Sequence, residues 1–231
     1  MDFLNSIILL TNFIIVPGIT YGSQLALGAI GVTLIYGVLR FANFAYGDLM
    51  AFGTMVVILM TWYLQSKGIS FGLLPTALLA LPIGILLTIA VSLFFDKTVF
   101  EYYRNKKSNP VTFIVVSLGI MFVLNAVVRI IIGPNDINFM DGHKFIMKAR
   151  EFKQLTGLNE GLAIKSTQVI TLLTTIITCS ILFYFLNKTK TGKSMRAYSN
   201  NEDLALLSGI DPKKIVLITW VIVSILATVA G

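Results

Sequence analysis

A chain of 231 residues that is 56% hydrophobic and 13% charged carries about half the charge of a soluble domain, in which roughly 25% of residues are Asp, Glu, Lys or Arg. One core of this size cannot hide that deficit, so a soluble globular domain is excluded and a bilayer is the solvent that explains it. The net charge of +7 then reflects basic cytoplasmic loops rather than nucleic acid, and a single cysteine (Cys179) with a single histidine (His143) excludes an internal disulfide and a Cys- or His-based metal cluster.

Apolar stretches of about 20 residues mark membrane helices. Residues 3–16 are apolar but short and end at Pro17. They lack a basic leader, follow Asp2 and show no small-residue cleavage site, so a retained first segment is predicted rather than a secretory signal. Residues 18–39 make a full span. Within it Gly18, Gly22 and Ala26 recur every four residues, as do Ala29, Thr33 and Gly37. Small residues on such faces let helices approach closely in lipid, which predicts a central place in a bundle.

Arg40 to Gly53 reads RFANFAYGDLMAFG, a polar interruption between apolar runs. Gly47 breaks helix at little cost. Asp48 stands where an N-cap belongs, its carboxylate able to accept from the free N–H groups of the next helix. Arg40 can snorkel to the headgroups. Those roles make a capped tight turn. The same residues also suit a broken helix beside a translocation path, where helix ends and polar backbone meet a substrate. The residues alone leave both readings open.

Further spans are predicted at 48–65, 72–95, 111–132, 167–187 and 215–231. Residues 96–110 carry Lys97, Arg104, Lys106 and Lys107. Residues 188–214 carry Lys188, Lys190, Lys193, Arg196, Lys213 and Lys214. Both segments are expected on the cytoplasmic side. In residues 133–166 the bases Lys144, Lys148, Arg150, Lys153 and Lys165 are offset by Asp136, Asp141, Glu151 and Glu160, and alternation of the spans makes this an extracytoplasmic segment. Alternation also places Arg40 to Gly47 inside. The N-terminus is inside only if residues 3–16 cross on their own.

Thr191 to Ser194 reads TGKS, the tail of a phosphate-binding loop. The full motif needs glycine where Asn187 stands and a preceding strand, so nucleotide binding is not expected here. Residues 197–210 instead predict a short cytoplasmic helix. Ala197, Asn201, Ala205 and Gly209 form a narrow small-residue face, Asn200 or Asn201 can cap, and Glu202 and Asp203 suit the first turn. Leu204, Leu207 and Ile210 supply apolar contact, Gly209 ends the helix and Pro212 starts the next element. Such a helix suits a groove on another protein; an interfacial helix lying on the bilayer is the alternative. The last span stops without flanking charge or exit loop, which predicts a fragment truncated at its C-terminus.

Two segments carry a resemblance. GVTLIYGVLRFANFAYGDLMAFG, Gly31 to Gly53, and SMRAYSNNEDLALLSGIDPKKIVLITWVIVSILATVAG, Ser194 to Gly231, together resemble the membrane permease subunit of ABC importers for branched-chain amino acids. The likeness covers the whole chain in segment order. It implies an all-α polytopic transmembrane helix bundle of the ABC importer permease type, with residues 1–231 one permease domain, 133–166 extracytoplasmic and 188–214 the cytoplasmic ATPase-coupling loop. It implies ATP-binding cassette subunits, a second permease subunit and a periplasmic substrate-binding protein as partners in a bacterial inner membrane. No cofactor, metal or catalytic residue is expected, because ATP would be hydrolysed on the partners.

In such permeases an EAAxxxG loop docks on the ATPase. Asp203, Leu204 and Ala205 occupy the EAA positions before Gly209, and Leu204 departs from the pattern. Tyr46 stands where the family usually has histidine, and the family's GGIGS-like segment would lie beyond residue 231. On this reading Asn43, Tyr46 and Asp48 are substrate-path candidates, and Asn201, Glu202, Asp203, Ala205 and Gly209 form the coupling surface.

Three alternatives stay open. The same scaffold serves urea and short-chain amides. An ion-driven secondary transporter needs an ionisable group inside the membrane, and the spans offer only Arg129 near an outer end and Asp48 at a helix start. A membrane-embedded enzyme lacks a nucleophile or metal constellation.

Overall fold

The computed structural model describes residues 2–69, 74–133, 139, 145–156 and 160–231. Asp136, Asp141, His143 and Lys144 lie outside them. Among the described residues six helices are long and apolar enough to cross a membrane: α1 (Phe3–Leu39), α2 (Tyr46–Ser66), α3 (Ala77–Asn105), α4 (Pro110–Ile132), α6 (Ser166–Lys188) and α9 (Pro212–Ala230). Three shorter helices are α5 (Ala149–Thr156), α7 (Lys190–Asn200) and α8 (Glu202–Leu207). Strands β1 (Phe145–Met147) and β2 (Ile164–Lys165) pair antiparallel on either side of α5, the one departure from all-α among the described residues.

The two segments expected at 3–16 and 18–39 are one helix. Pro17 has no N–H and its ring crowds the preceding turn. The helix absorbs it by widening to a π-turn over Thr11–Ile15, where the Val16 N–H reaches the Thr11 carbonyl. At about 1.5 Å per residue α1 is about 55 Å long, well beyond a hydrocarbon core of about 30 Å. Its early residues meet the segment after α5: the Asn12 amide donates to the Gly161 carbonyl at 2.7 Å and accepts from the Ala163 N–H at 3.0 Å. The start of the chain therefore shares an end of the bundle with residues 160–163. Arg40 and α7 occupy the opposite end.

α9 is the central helix. Val223 and Ala227 are fully buried, together with Thr219 and Ser224. The hydroxyls are satisfied by carbonyls one turn back, and Ser224 also bonds Ser92 of α3 at 2.6 Å. Gly53 and Gly84 let α2 and α3 close on α9, since a Cβ at either would strike Thr228 or Val57. The small-residue ladder expected on α1 is not what packs. Gly18 and Gly22 face open space, and the buried stripe is Leu27, Gly28, Gly31, Ile35 and Val38.

Helix α3 runs ten residues past its expected end at 95, through a second π-turn at Asp96–Phe100. That turn has a consequence for charge. Asp96 and Arg104 are eight apart, but one extra residue in the turn makes them act like an i, i+7 pair on one face. Arg104 donates to both Asp96 oxygens, at 2.9 and 3.2 Å, and the Trp220 indole N–H adds a third bond at 2.7 Å. Phe41, Phe100, Phe113 and Trp220 stack around this node with centroids 5.1 to 5.4 Å apart.

Candidate functional site

Arg40 ends α1 in the left-handed region, φ 62°, a position usually held by glycine. Its guanidinium does not snorkel. It donates to the Ser199 carbonyl of α7 at 2.8 Å, while the Ser199 hydroxyl donates to the Gly37 carbonyl at 2.7 Å. This pair of bonds clamps the end of α1 to α7.

Residues 40–45 are irregular. Asn43, rather than Asp48, organises the entry into α2: its side-chain oxygen accepts from the Ala45 N–H at 3.0 Å, and the Phe44 N–H donates to Ser117 of α4 at 3.2 Å. With the turn made there, α2 starts at Tyr46, so Gly47 does not break helix and Asp48 is not its cap. No side chain caps α2. Asp48 instead crosses to α4, where its carboxylate accepts from the Asn125 amide at 2.9 Å, and Asn125 accepts from Arg129 Nε at 2.8 Å.

These contacts set the depth of the turn. Ser117 is seven residues into α4 and Asn125 fifteen, about 10 and about 22 Å from the start of that helix. The Tyr46 hydroxyl abuts Gly31, eight residues back from the end of α1, about 12 Å by the same measure. The chain thus turns back into the bundle without helix and begins α2 well inside it. Non-helical backbone at such depth is stable only if buried in protein or facing a watery cavity.

The first condition is met for part of the segment, and the rest faces a cleft. Phe41 and Ala45 are buried, while Ala42, Asn43, Phe44 and Gly47 line a cleft of about 580 Å³ with Gln24, Leu25, Val32 and Met50 among the other walls. The structure brings Asn43 and Tyr46 together on this cleft and sends Asp48 away from it, toward α4. The walls contributed by α1 were not foreseen. Leu25 and Val32 are exposed and carry no signal beyond hydrophobicity. Asn125 could have been noticed as a lone amide in an apolar span.

The coupling candidates gather at the end of the bundle that holds Arg40 and α7. Asn201 caps α8, accepting from the Leu204 N–H at 3.0 Å. Glu202 accepts from the Tyr198 hydroxyl at 2.7 Å. Burial first, then that bond, push the Tyr198 phenol far above its ordinary pKa, so it remains a donor. Asp203 is exposed, as is Gly209, which ends the turn with φ 79°. Ala205 is not surface: it is 3% exposed and packs with Val38, Met195, Tyr198 and Ile215. Of the small-residue face only Ala205 turns inward; Ala197, Asn201 and Gly209 are exposed. What α8 shows outward is Leu204, Leu206 and Leu207. Thr191 to Ser194 lie inside α7, where the Gly192 N–H bonds the Thr189 hydroxyl and Gly192 packs on the α6 backbone. That geometry leaves no phosphate-binding loop.

A model of the family described as the permease component of branched-chain amino acid transport systems matches residues 14–231. The chain belongs to that family. It is similar to the high-affinity branched-chain amino acid transport system permease protein LivH of Escherichia coli, at 26% identity over 93% of this chain and 67% of that protein. It is similar to BraD of Pseudomonas aeruginosa at 25% over 94% and 68%, and to a probable LivH of Methanocaldococcus jannaschii at 29% over 95% and 65%. No solved structure matches. The chain is a multi-pass membrane permease subunit.

In this permease the Asp48 bridge to α4 is a structural tie with a measurable cost. Asp48→Leu orphans the Asn125 amide and lowers stability by about 1–3 kcal/mol. Asp48→Asn retains an acceptor and costs about 1 kcal/mol or less. Thermal unfolding of the detergent-solubilised protein followed by size-exclusion fluorescence ranks the two; equal losses would mean the bridge carries no energy.

Proposed function

We propose that this subunit imports branched-chain or related amino acids across the bacterial inner membrane, with energy from ATP hydrolysed on separate ATP-binding cassette subunits. A second permease subunit would complete the pathway and a periplasmic binding protein would deliver the substrate. The subunit itself carries out no covalent chemistry in this reading. The observation that supports it most is the irregular segment 40–45 at depth, opening on a mostly apolar cleft. Discontinuous helices near the membrane middle are how many transporters meet their substrates. Aliphatic walls suit an aliphatic side chain better than they suit urea.

The end that holds Arg40 and α7 supports the coupling half of the reading. Residues 188–214 would lie in the cytoplasm, with the exposed leucines of α8 and Asp203 against the ATPase, and residues 133–166 outside. The clamp from Arg40 to Ser199 would carry movement of α7 to the 40–45 turn, because Arg40 bonds α7 directly and Ser199 holds the end of α1 just before the turn. Reconstituting the complete complex in liposomes and following labelled leucine and urea tests this. ATP-dependent leucine accumulation is expected. Accumulation of urea alone would favour the amide permease, and leucine uptake by this subunit alone under an ion gradient would overturn ATP coupling.

A further inference from the structure

Helix α2 begins inside the bundle with no side chain on its first-turn N–H groups; that of Tyr46 meets the Asn43 carbonyl at 3.5 Å, and those of Gly47 and Asp48 present the positive end of the dipole at low dielectric. Gly47, in that first turn, lies exposed on the cleft, and a Cβ there would meet nothing within 4 Å. A separate observation points to the same place. Tyr46, 2% exposed and also part of the cleft lining, carries the one buried side-chain polar atom without a hydrogen-bond partner among the described residues. Its hydroxyl is stowed against Gly31, which has no side chain to obstruct it. An unpaired buried hydroxyl is costly, and rotation toward the cleft would give it a partner only if an acceptor were there.

Resting on the amino-acid reading above, we infer that the first turn of α2 and the Tyr46 hydroxyl form the seat for the carboxylate of the transported amino acid, with Leu25, Val32 and Met50 receiving its aliphatic side chain. An anion at a helix N-terminus accepts from backbone N–H groups and from the dipole together. Among the described residues no lysine or arginine lines the cleft, so these neutral donors supply the attraction and leave it weak enough for release. Asp48 does not oppose the anion from within the cleft, because its carboxylate is turned to Asn125 on α4.

The test uses the complete complex in liposomes, supplied with leucine on its binding protein. Tyr46→Phe keeps the ring and removes the donor. Its maximal uptake rate falls about tenfold, the worth of a hydrogen bond to a charged group, while half-saturation by the loaded binding protein is unchanged. Tyr46→His keeps a donor and recovers part of the rate. Gly47→Leu fills the seat and abolishes uptake, yet the unfolding temperature does not fall, since the space is open and leucine favours helix over glycine. Both Tyr46→Phe and Gly47→Leu retaining the wild-type leucine rate would overturn the carboxylate seat while leaving the amino-acid reading intact. So would equal rates for Tyr46→Phe and Tyr46→His. A wild-type complex that carries urea but no leucine would overturn the reading and the seat together.

Discussion

Leu207→Asp releases the ATPase subunits from the purified complex and abolishes ATP-driven uptake, while the permease still inserts and unfolds at its normal temperature. Leu207 is 85% exposed, so its own fold gains almost nothing from it. In a groove on a partner the same side chain would contribute about 1.5–3 kcal/mol, and a carboxylate buried there adds a desolvation cost of at least a few kcal/mol more. Together they weaken docking by about a hundredfold or beyond. Substitutions at Ala205 and Gly209 cannot serve the same purpose. A tryptophan at Ala205 overpacks a site enclosed by Met195 and Tyr198, and any side chain at Gly209 is strained by φ 79°. Co-purification of the ATPase at wild-type yield with Leu207→Asp would remove α8 from the docking surface.

Asp96→Ala has the largest expected effect on stability. It leaves the Arg104 guanidinium and the Trp220 N–H without their shared acceptor in the aromatic layer that joins α3, α4 and α9. The pair is partly exposed, 13% at Asp96 and 31% at Arg104, so orphaning its donors costs about 1–3 kcal/mol, still a sizeable part of a typical total of about 5–15 kcal/mol. Asp96→Asn loses the charge but keeps an acceptor for Trp220, so its loss is smaller. Thermal unfolding in detergent, read from tryptophan fluorescence, gives the order wild type, Asp96→Asn, Asp96→Ala. An Asp96→Ala protein as stable as wild type would show that the node is not needed to hold α3 to α9.

Asp96 also shows where sequence reasoning stopped. Its position beside the bases of 96–110 made it part of a loop, because charge marks loops in a membrane protein. A π-turn kept the helix going and brought its partner two turns later onto the same face, which no one-dimensional pattern announces. Asp48 failed in a related way. Carboxylate after glycine is a sound cap signal, yet Asn43 made the turn first and freed Asp48 to reach Asn125, seventy-seven positions away. Pro17 was read as a boundary, and the helix ran through it with a π-turn just before it instead.

The sequence by itself determined the class of protein, the sides of its basic segments as an expectation, the two motifs of its family and the starts of α8 and α9. Asn201 and Pro212 act within a few residues of their own positions, and local chemistry is written in local order. Tertiary structure alone decided which face of α8 is outward, that Tyr46 hides a free hydroxyl under Gly31, and that α2 starts deep in the bundle. Each depends on how far one helix slides along another, a distance set by close packing between residues far apart in the chain.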